Sequence, residues 1–171
     1  DCEVILHLYK KYGIEKTIKE LDGVFAFVLY DMNKNEIYVG RDPIGVRPLF
    51  YTAISNFCFA SEVKSISVLQ DISEINIFPP GCYMKIFFDG KSSKLDYEFG
   101  RYYKYDYTPV IHENSEALVL EKLRYKFTNA VEKRLMSDRP LGFLISGGLD
   151  SSLVASIANR YLKEKCKSMS F

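Results

Sequence analysis

Residues 146 to 152 read Ser146-Gly147-Gly148-Leu149-Asp150-Ser151-Ser152, a string whose residue types suit the capture of an anion. Gly147 and Gly148 carry no side chains, so backbone N–H groups can converge on one point. A helix that follows would turn its free N–H groups and the positive end of its dipole to the same place. Three serine hydroxyls add donors. The result is a cradle for phosphate groups. A bare carboxylate at Asp150 would repel phosphate there, and a Mg²⁺ ion bridging Asp150 and the phosphates resolves the conflict. The lysine of a G-x-x-x-x-G-K-[ST] loop is absent, and G-x-G-x-x-G is not present either. The plainer alternative is a glycine turn with Asp150 capping the next helix.

The setting supports the first reading. The apolar run 141–145 ahead of the loop predicts a short buried strand, and Leu153, Val154, Ile157, Ala158, Tyr161 and Leu162 fall on one face of a helix behind it. Strand, glycine loop and helix are the elements of a parallel α/β domain, whose ligands bind at such loops. A long helix from Ser115 or Asn114, with Leu120, Leu123, Phe127, Ala130, Val131 and Leu135 as its apolar stripe, leads in and is expected to end at Arg139-Pro140.

The first hundred residues have another grammar. Asp1 can cap a helix that carries Val4, Ile5, Leu8, Tyr9 and Tyr12 and stops at Gly13; a second short helix covers 14–21. From Val24 the period becomes that of strands. Residues 24–31 and 36–41 form one hairpin about Asn33-Lys34-Asn35, and 49–54 with 57–60 a second. A helical turn covers 62–69; strand 82–88 and its return 94–99 follow Pro79-Pro80-Gly81. Hairpins of this kind build local antiparallel sheets. Residues 101–114, rich in tyrosine, read as a connection between domains that packs against something.

Composition excludes several function classes. With 47% hydrophobic and 26% charged residues and a net charge of +1, nothing favours nucleic acid or an anionic membrane as a partner. No apolar run approaches the ~20 residues of a membrane-spanning helix. Cys2, Cys58, Cys82 and Cys166 form no C-x-x-C pair and His7 and His112 lie far apart, which argues against zinc. Free thiols in a reducing cytoplasm are expected. A chain opening on Asp1 and closing on Phe171 within an apolar segment reads as a fragment.

The strings carry a family resemblance. Ser146–Ser152 resembles the pyrophosphate-binding loop of the ATP pyrophosphatases, which adenylate a substrate and release pyrophosphate. Together with Arg134-Leu135-Met136-Ser137-Asp138-Arg139-Pro140 it resembles asparagine synthetases in particular. Upstream, Asp1–Ile5, Leu21–Phe27, Arg41–Leu49, Phe59–Glu62 and Phe78–Gly81 occur in the order seen in class II glutamine amidotransferase domains. The string Arg41–Leu49 also occurs in the purine-pathway amidotransferase, and the loop downstream separates the two.

The resemblance implies the C-terminal part of an Ntn-type αββα glutaminase domain over 1–100, a connection over 101–114, and the opening helix–strand–loop–helix of a parallel α/β ATP pyrophosphatase domain over 115–171. It implies that Ser146, Gly147, Gly148, Asp150, Ser151 and Ser152 hold ATP pyrophosphate, with Asp150 on Mg²⁺, that Ile145 falls where the family contacts the nucleotide, and that Leu149 belongs to the same ATP site. It also implies that Asp1 pairs with the ammonium of glutamine. The cysteine nucleophile of such domains would lie upstream, so no residue of this chain is assigned to catalysis and the piece alone is expected to be inactive. The parent reaction uses glutamine, aspartate and ATP to make asparagine, with a homodimer among the assemblies it allows. A related ligase acting on another acid, or a non-catalytic remnant, are the alternatives. For Arg41, Asp42, Arg47 and Glu62 the expectation is solvated or structural ion pairs.

Overall fold

The computed structural model describes residues 2–53, 57–69, 71, 74–88, 95–105 and 115–169. The chain forms two compact units, Asp1–Tyr107 and Thr108–Phe171.

In the first unit, helices α1 (Glu3–Tyr12) and α2 (Ile14–Glu20) meet at Gly13. The Cys2 position precedes α1 without a side-chain capping bond; the expected cap, Asp1, lies outside the described residues. Strands β1 (Ala26–Asp31) and β2 (Glu36–Arg41) pair antiparallel, from Asp31 opposite Glu36 to Ala26 opposite Arg41. Chain reversal follows from turn chemistry: Asp31 Oδ1 accepts the N–H groups of Asn33 and Lys34 at 2.9 and 3.1 Å, an Asx turn that closes the hairpin.

Strands β3 (Phe50–Thr52) and β4 (Cys58–Ala60) make the second expected hairpin, and α3 (Val63–Ser67) packs on both. A third strand was not anticipated. β5 (Asn76–Ile77) pairs with β3 over two residues, too short to show any alternation in sequence. Strands β6 (Cys82–Phe88) and β7 (Leu95–Arg101) complete the unit. One sheet runs β1-β2-β6-β7 and the other β4-β3-β5.

Strand periodicity sends alternate side chains to opposite faces of the larger sheet. Val39, Met84 and Ile86 face a core shared with Leu49, Phe78 and Cys82, against which Tyr51 and Phe59 of the smaller sheet pack. Each such buried side chain contributes roughly 1.5–3 kcal/mol. On the other face, Leu29 and Tyr38 pack with Ile14, Ile5 and Tyr9 of the helices. Helices, sheet and second sheet are thus layered. Cys82 is buried, Cys58 half-buried and Cys2 exposed, and these three form no disulfide among the described residues.

The second unit comprises α4 (Glu116–Glu132) and α5 (Leu149–Met169), which touch through Val131, Ile157 and Ala158 with Leu135 and Val154 beside them. Three expectations are corrected here. α4 stops at Glu132, well before Arg139-Pro140. Of its apolar stripe only Val131 is buried, whereas Leu120 and Leu123 are exposed. Residues 141–145 form no strand: Leu144 is 98% and Ile145 62% exposed. A strand exists only when a neighbour takes its N–H and C=O groups, and the described residues of this unit offer none. Among the described residues no helix is long and apolar enough to cross a membrane, and no three potential metal ligands cluster.

Candidate functional site

The first unit carries its charged centre in the loop after β2. Asp42 is 1% exposed, and its carboxylate accepts four consecutive backbone N–H groups. Oδ1 takes those of Ile44, Gly45 and Val46 at 3.1, 2.7 and 3.0 Å, and Oδ2 that of Arg47 at 3.1 Å. Burial works to raise this carboxyl's pKa, but the bonds from Val46, Arg47, Gly45 and Ile44 outweigh it and hold the group below the usual aspartate value. Arg41 is buried too, and its guanidinium donates to three carbonyls: Arg47 at 2.8 Å, Phe78 at 2.6 Å and Gly45 at 2.8 Å. The ion-pair expectation for these residues is therefore corrected. Both charges are spent on backbone, that of the loop that follows and, for Arg41, of Phe78 as well, which makes Arg41–Arg47 a rigid turn. Glu62 does form an ion pair, with Lys64 at 2.5 Å, on the surface.

The end of that loop walls a cleft of about 710 Å³. Its other sides are the start of α1, with Cys2 and Glu3, and the run from Val24 through Tyr30; Ser61 also lines it. The lining is mainly apolar, with Arg47, Glu3 and Ser61 as its polar groups. A cleft that offers one cation, one carboxylate and apolar walls suits a small zwitterion with a short chain. Asp1, the residue expected to bind glutamine, directly precedes Cys2 and lies outside the described residues.

The tyrosine-rich stretch packs on the same loop. Tyr102 donates its hydroxyl to Arg41 O at 2.7 Å and Tyr105 to Pro43 O at 3.2 Å. Burial of the Tyr102 phenol, with the Asp42 charge next in effect, pushes its pKa above the ordinary tyrosine value, so it remains a donor at physiological pH.

In the second unit the loop 146–152 closes on itself. Gly147 has φ +83°, and a Cβ added there would meet nothing within 4 Å, so its backbone conformation rather than crowding calls for glycine. Ser146 N–H points to Ser151 Oγ at 3.3 Å, and the two hydroxyls lie 3.1 Å apart. Ser152 donates Oγ–H to Gly148 O at 2.7 Å, and Ser152 N–H makes the first helical bond to the same carbonyl at 3.3 Å. The N–H groups of Leu149, Asp150 and Ser151 precede that bond and so belong to the open first turn of α5. Asp150 is in that turn, exposed. The structure thus brings Ser146, Gly148, Ser151 and Ser152 into one hydrogen-bonded ring, with Leu149 and Asp150 outside it and Ile145 leading in.

Sequence reasoning passed over the Asp42 centre and the cleft. The first had a signal: Asp42-Pro43-Ile44-Gly45 has the turn composition in which an aspartate bonds the amides just after it. The second had none, because α1, β1 and the loop meet only through folding.

Two segments match families of known proteins: residues 1–78 match the glutamine amidotransferase domain, and residues 122–171 match asparagine synthase. The asparagine synthetase [glutamine-hydrolyzing] of Homo sapiens is 42% identical over 180 residues, 96% of this chain and 32% of that protein. The probable asparagine synthetase [glutamine-hydrolyzing] of Dictyostelium discoideum is 43% identical over 171 residues, 96% of this chain and 29% of that one. Among solved structures, a glutamine phosphoribosylpyrophosphate amidotransferase from B. subtilis, complexed with ADP and GMP, aligns at 19% identity with a TM-score of 0.49, over 93% of this chain and 37% of that one. The segment similar to glutamine amidotransferase domains thus comes first and the segment similar to asparagine synthase second. By sequence the chain is similar to glutamine-hydrolysing asparagine synthetases over 96% of its own length, and it spans about a third of the length of the relatives it matches.

Proposed function

We propose that this chain is the central stretch of a glutamine-dependent asparagine synthetase, joining the later part of a glutaminase domain (1–100) through a connection (101–114) to the opening of an ATP-using domain (115–171). In this reading the layered antiparallel sheets of the first unit belong to an Ntn-type αββα domain that releases ammonia from glutamine. The second domain activates the side-chain carboxylate of aspartate with ATP as an acyl-adenylate, with loss of pyrophosphate, and ammonia then displaces AMP to give asparagine. The observation that carries the proposal is the order of the two matched segments, with the loop 146–152 at the head of α5.

The chain's own contributions are binding and orientation. The amides at the start of α5 would take a pyrophosphate oxygen, where the helix dipole favours negative charge. Ser146, Ser151 and Ser152 would turn their hydroxyls from the Gly148 carbonyl and from each other toward the ligand. Mg²⁺ fits the residues present, because it is commonly held by one or two carboxylates plus substrate phosphates, and Asp150 supplies one exposed carboxylate beside the open turn. When bound, the ion would neutralise phosphate charge. The 171-residue chain on its own turns over neither glutamine nor aspartate in this reading.

Phosphorus NMR of pyrophosphate with Mg²⁺ and this chain tests the site. The expected result is line broadening that disappears with Asp150→Ala. Broadening of equal size in the variant, or none with the wild-type chain, overturns the assignment.

A further inference from the structure

Residues 102–105 are fastened to the loop that walls the cleft. Besides the two tyrosine hydroxyls on Arg41 O and Pro43 O, the N–H groups of Tyr102 and Tyr103 both bond Gly81 O, at 3.0 and 3.2 Å. Gly81 N–H in turn bonds Asp42 O at 3.1 Å. The stretch after β7 therefore grips three consecutive loop residues, 41 and 43 directly and 42 through Gly81. Gly81 leaves no slack: its φ is +65°, and a Cβ there would lie 3.0 Å from Tyr103 O.

Inside the loop, motion at that grip has nowhere to dissipate. One carboxylate holds the amides of 44–47 and one guanidinium holds the carbonyls of 45 and 47. The far end, Arg47 and Pro48, is the wall of the cleft. We propose that Tyr102 and Tyr105 are positioning residues for the cleft, holding its Arg47–Pro48 wall from the stretch that leads out of the first unit. The state of that stretch then sets how well the cleft holds its ligand. Only the choice of L-glutamine as that ligand rests on the functional reading above.

The experiment compares the whole chain with its Tyr102→Phe and Tyr105→Phe variants by amide hydrogen exchange, denaturant unfolding and titration with L-glutamine. Each variant deletes one hydroxyl and keeps the ring. Exchange of the 44–47 amides is expected to rise about tenfold, the effect of losing one hydrogen bond of ordinary net worth. The β1–β2 ladder should exchange as before, and glutamine affinity should fall several-fold. Faster exchange confined to 81 and 102–105, or a lowered unfolding midpoint with unchanged glutamine affinity, overturns the proposal. If Tyr102→Phe unfolds the unit, the exposed Tyr105 decides by the same criteria. A wild-type chain that ignores glutamine while its variants loosen 44–47 keeps the positioning role and removes the glutamine reading.

Discussion

The Asp42 carboxylate accepts the Gly45 N–H at 2.7 Å, the shortest of the four amide bonds that fold the loop 42–47 around one buried charge. In Asp42→Ala those donors lose their partner, while the Arg41 guanidinium keeps its three carbonyls. The expected loss is about 2–4 kcal/mol, since each buried donor left unpaired costs ~1–3 kcal/mol before water relieves part of it. Urea unfolding of the first unit measures it, and a loss below about 1 kcal/mol would show that the amides find other acceptors.

The same carboxylate sets a pH dependence. Its folded pKa is depressed from the ordinary 3.8 because the four amides prevail over burial. The unfolded state therefore binds a proton first as the solution is acidified. The stabilisation is complete above the unfolded value, shrinks as pH falls toward the folded value, and is gone below it. The stability gap between wild type and Asp42→Asn should be constant from neutral pH to about 5 and close below about 4. A gap that persists unchanged at about pH 2 would count against the assignment.

Gly45 stands at φ +74°, and a Cβ there would lie 2.9 Å from Pro80 Cγ and 3.0 Å from Arg41 Cζ. Gly45→Ala thus combines a left-handed backbone with a collision against a buried guanidinium. About 1–3 kcal/mol should be lost, read as a shifted denaturant midpoint. Gly142→Ala, where a Cβ meets nothing within 4 Å, serves as the matched control.

The second unit rests on a contact of three buried residues, Val131, Ile157 and Ala158. Ile157→Ala should cost about 2 kcal/mol there and leave the first unit untouched. Hydrogen exchange resolves the two: α5 amides should speed up while β2 amides keep their protection. Equal acceleration in both would mean that the units unfold as one.

How far the sequence disclosed these features depended on the range of the interaction that makes them. The β1–β2 hairpin was legible because alternation and the Asp31 turn are both local. So were β6 and β7. β5 was not, since Asn76 and Ile77 are a strand only by virtue of the edge that β3 offers. The run 141–145 erred the other way: its composition is that of a buried strand, but without a paired neighbour it remains exposed coil. The glycine loop could be read from its seven residues, whereas the inward closure of its serines could not, because hydroxyl rotation follows the nearest acceptor.

The register of the larger sheet also dictates an order of assembly during synthesis. β2 pairs with β1, made just before it, and with β6, where Gly40 meets Tyr83. At ~5–20 residues per second on a ribosome, the β1–β2 hairpin is complete for roughly 2–10 seconds before β6 exists. Throughout that wait the edge of β2 that later takes β6 has no ladder partner. A nascent chain of this protein is therefore most open to chaperone capture, and to mispairing with another nascent chain, in the interval between the emergence of Arg41 and that of Phe88.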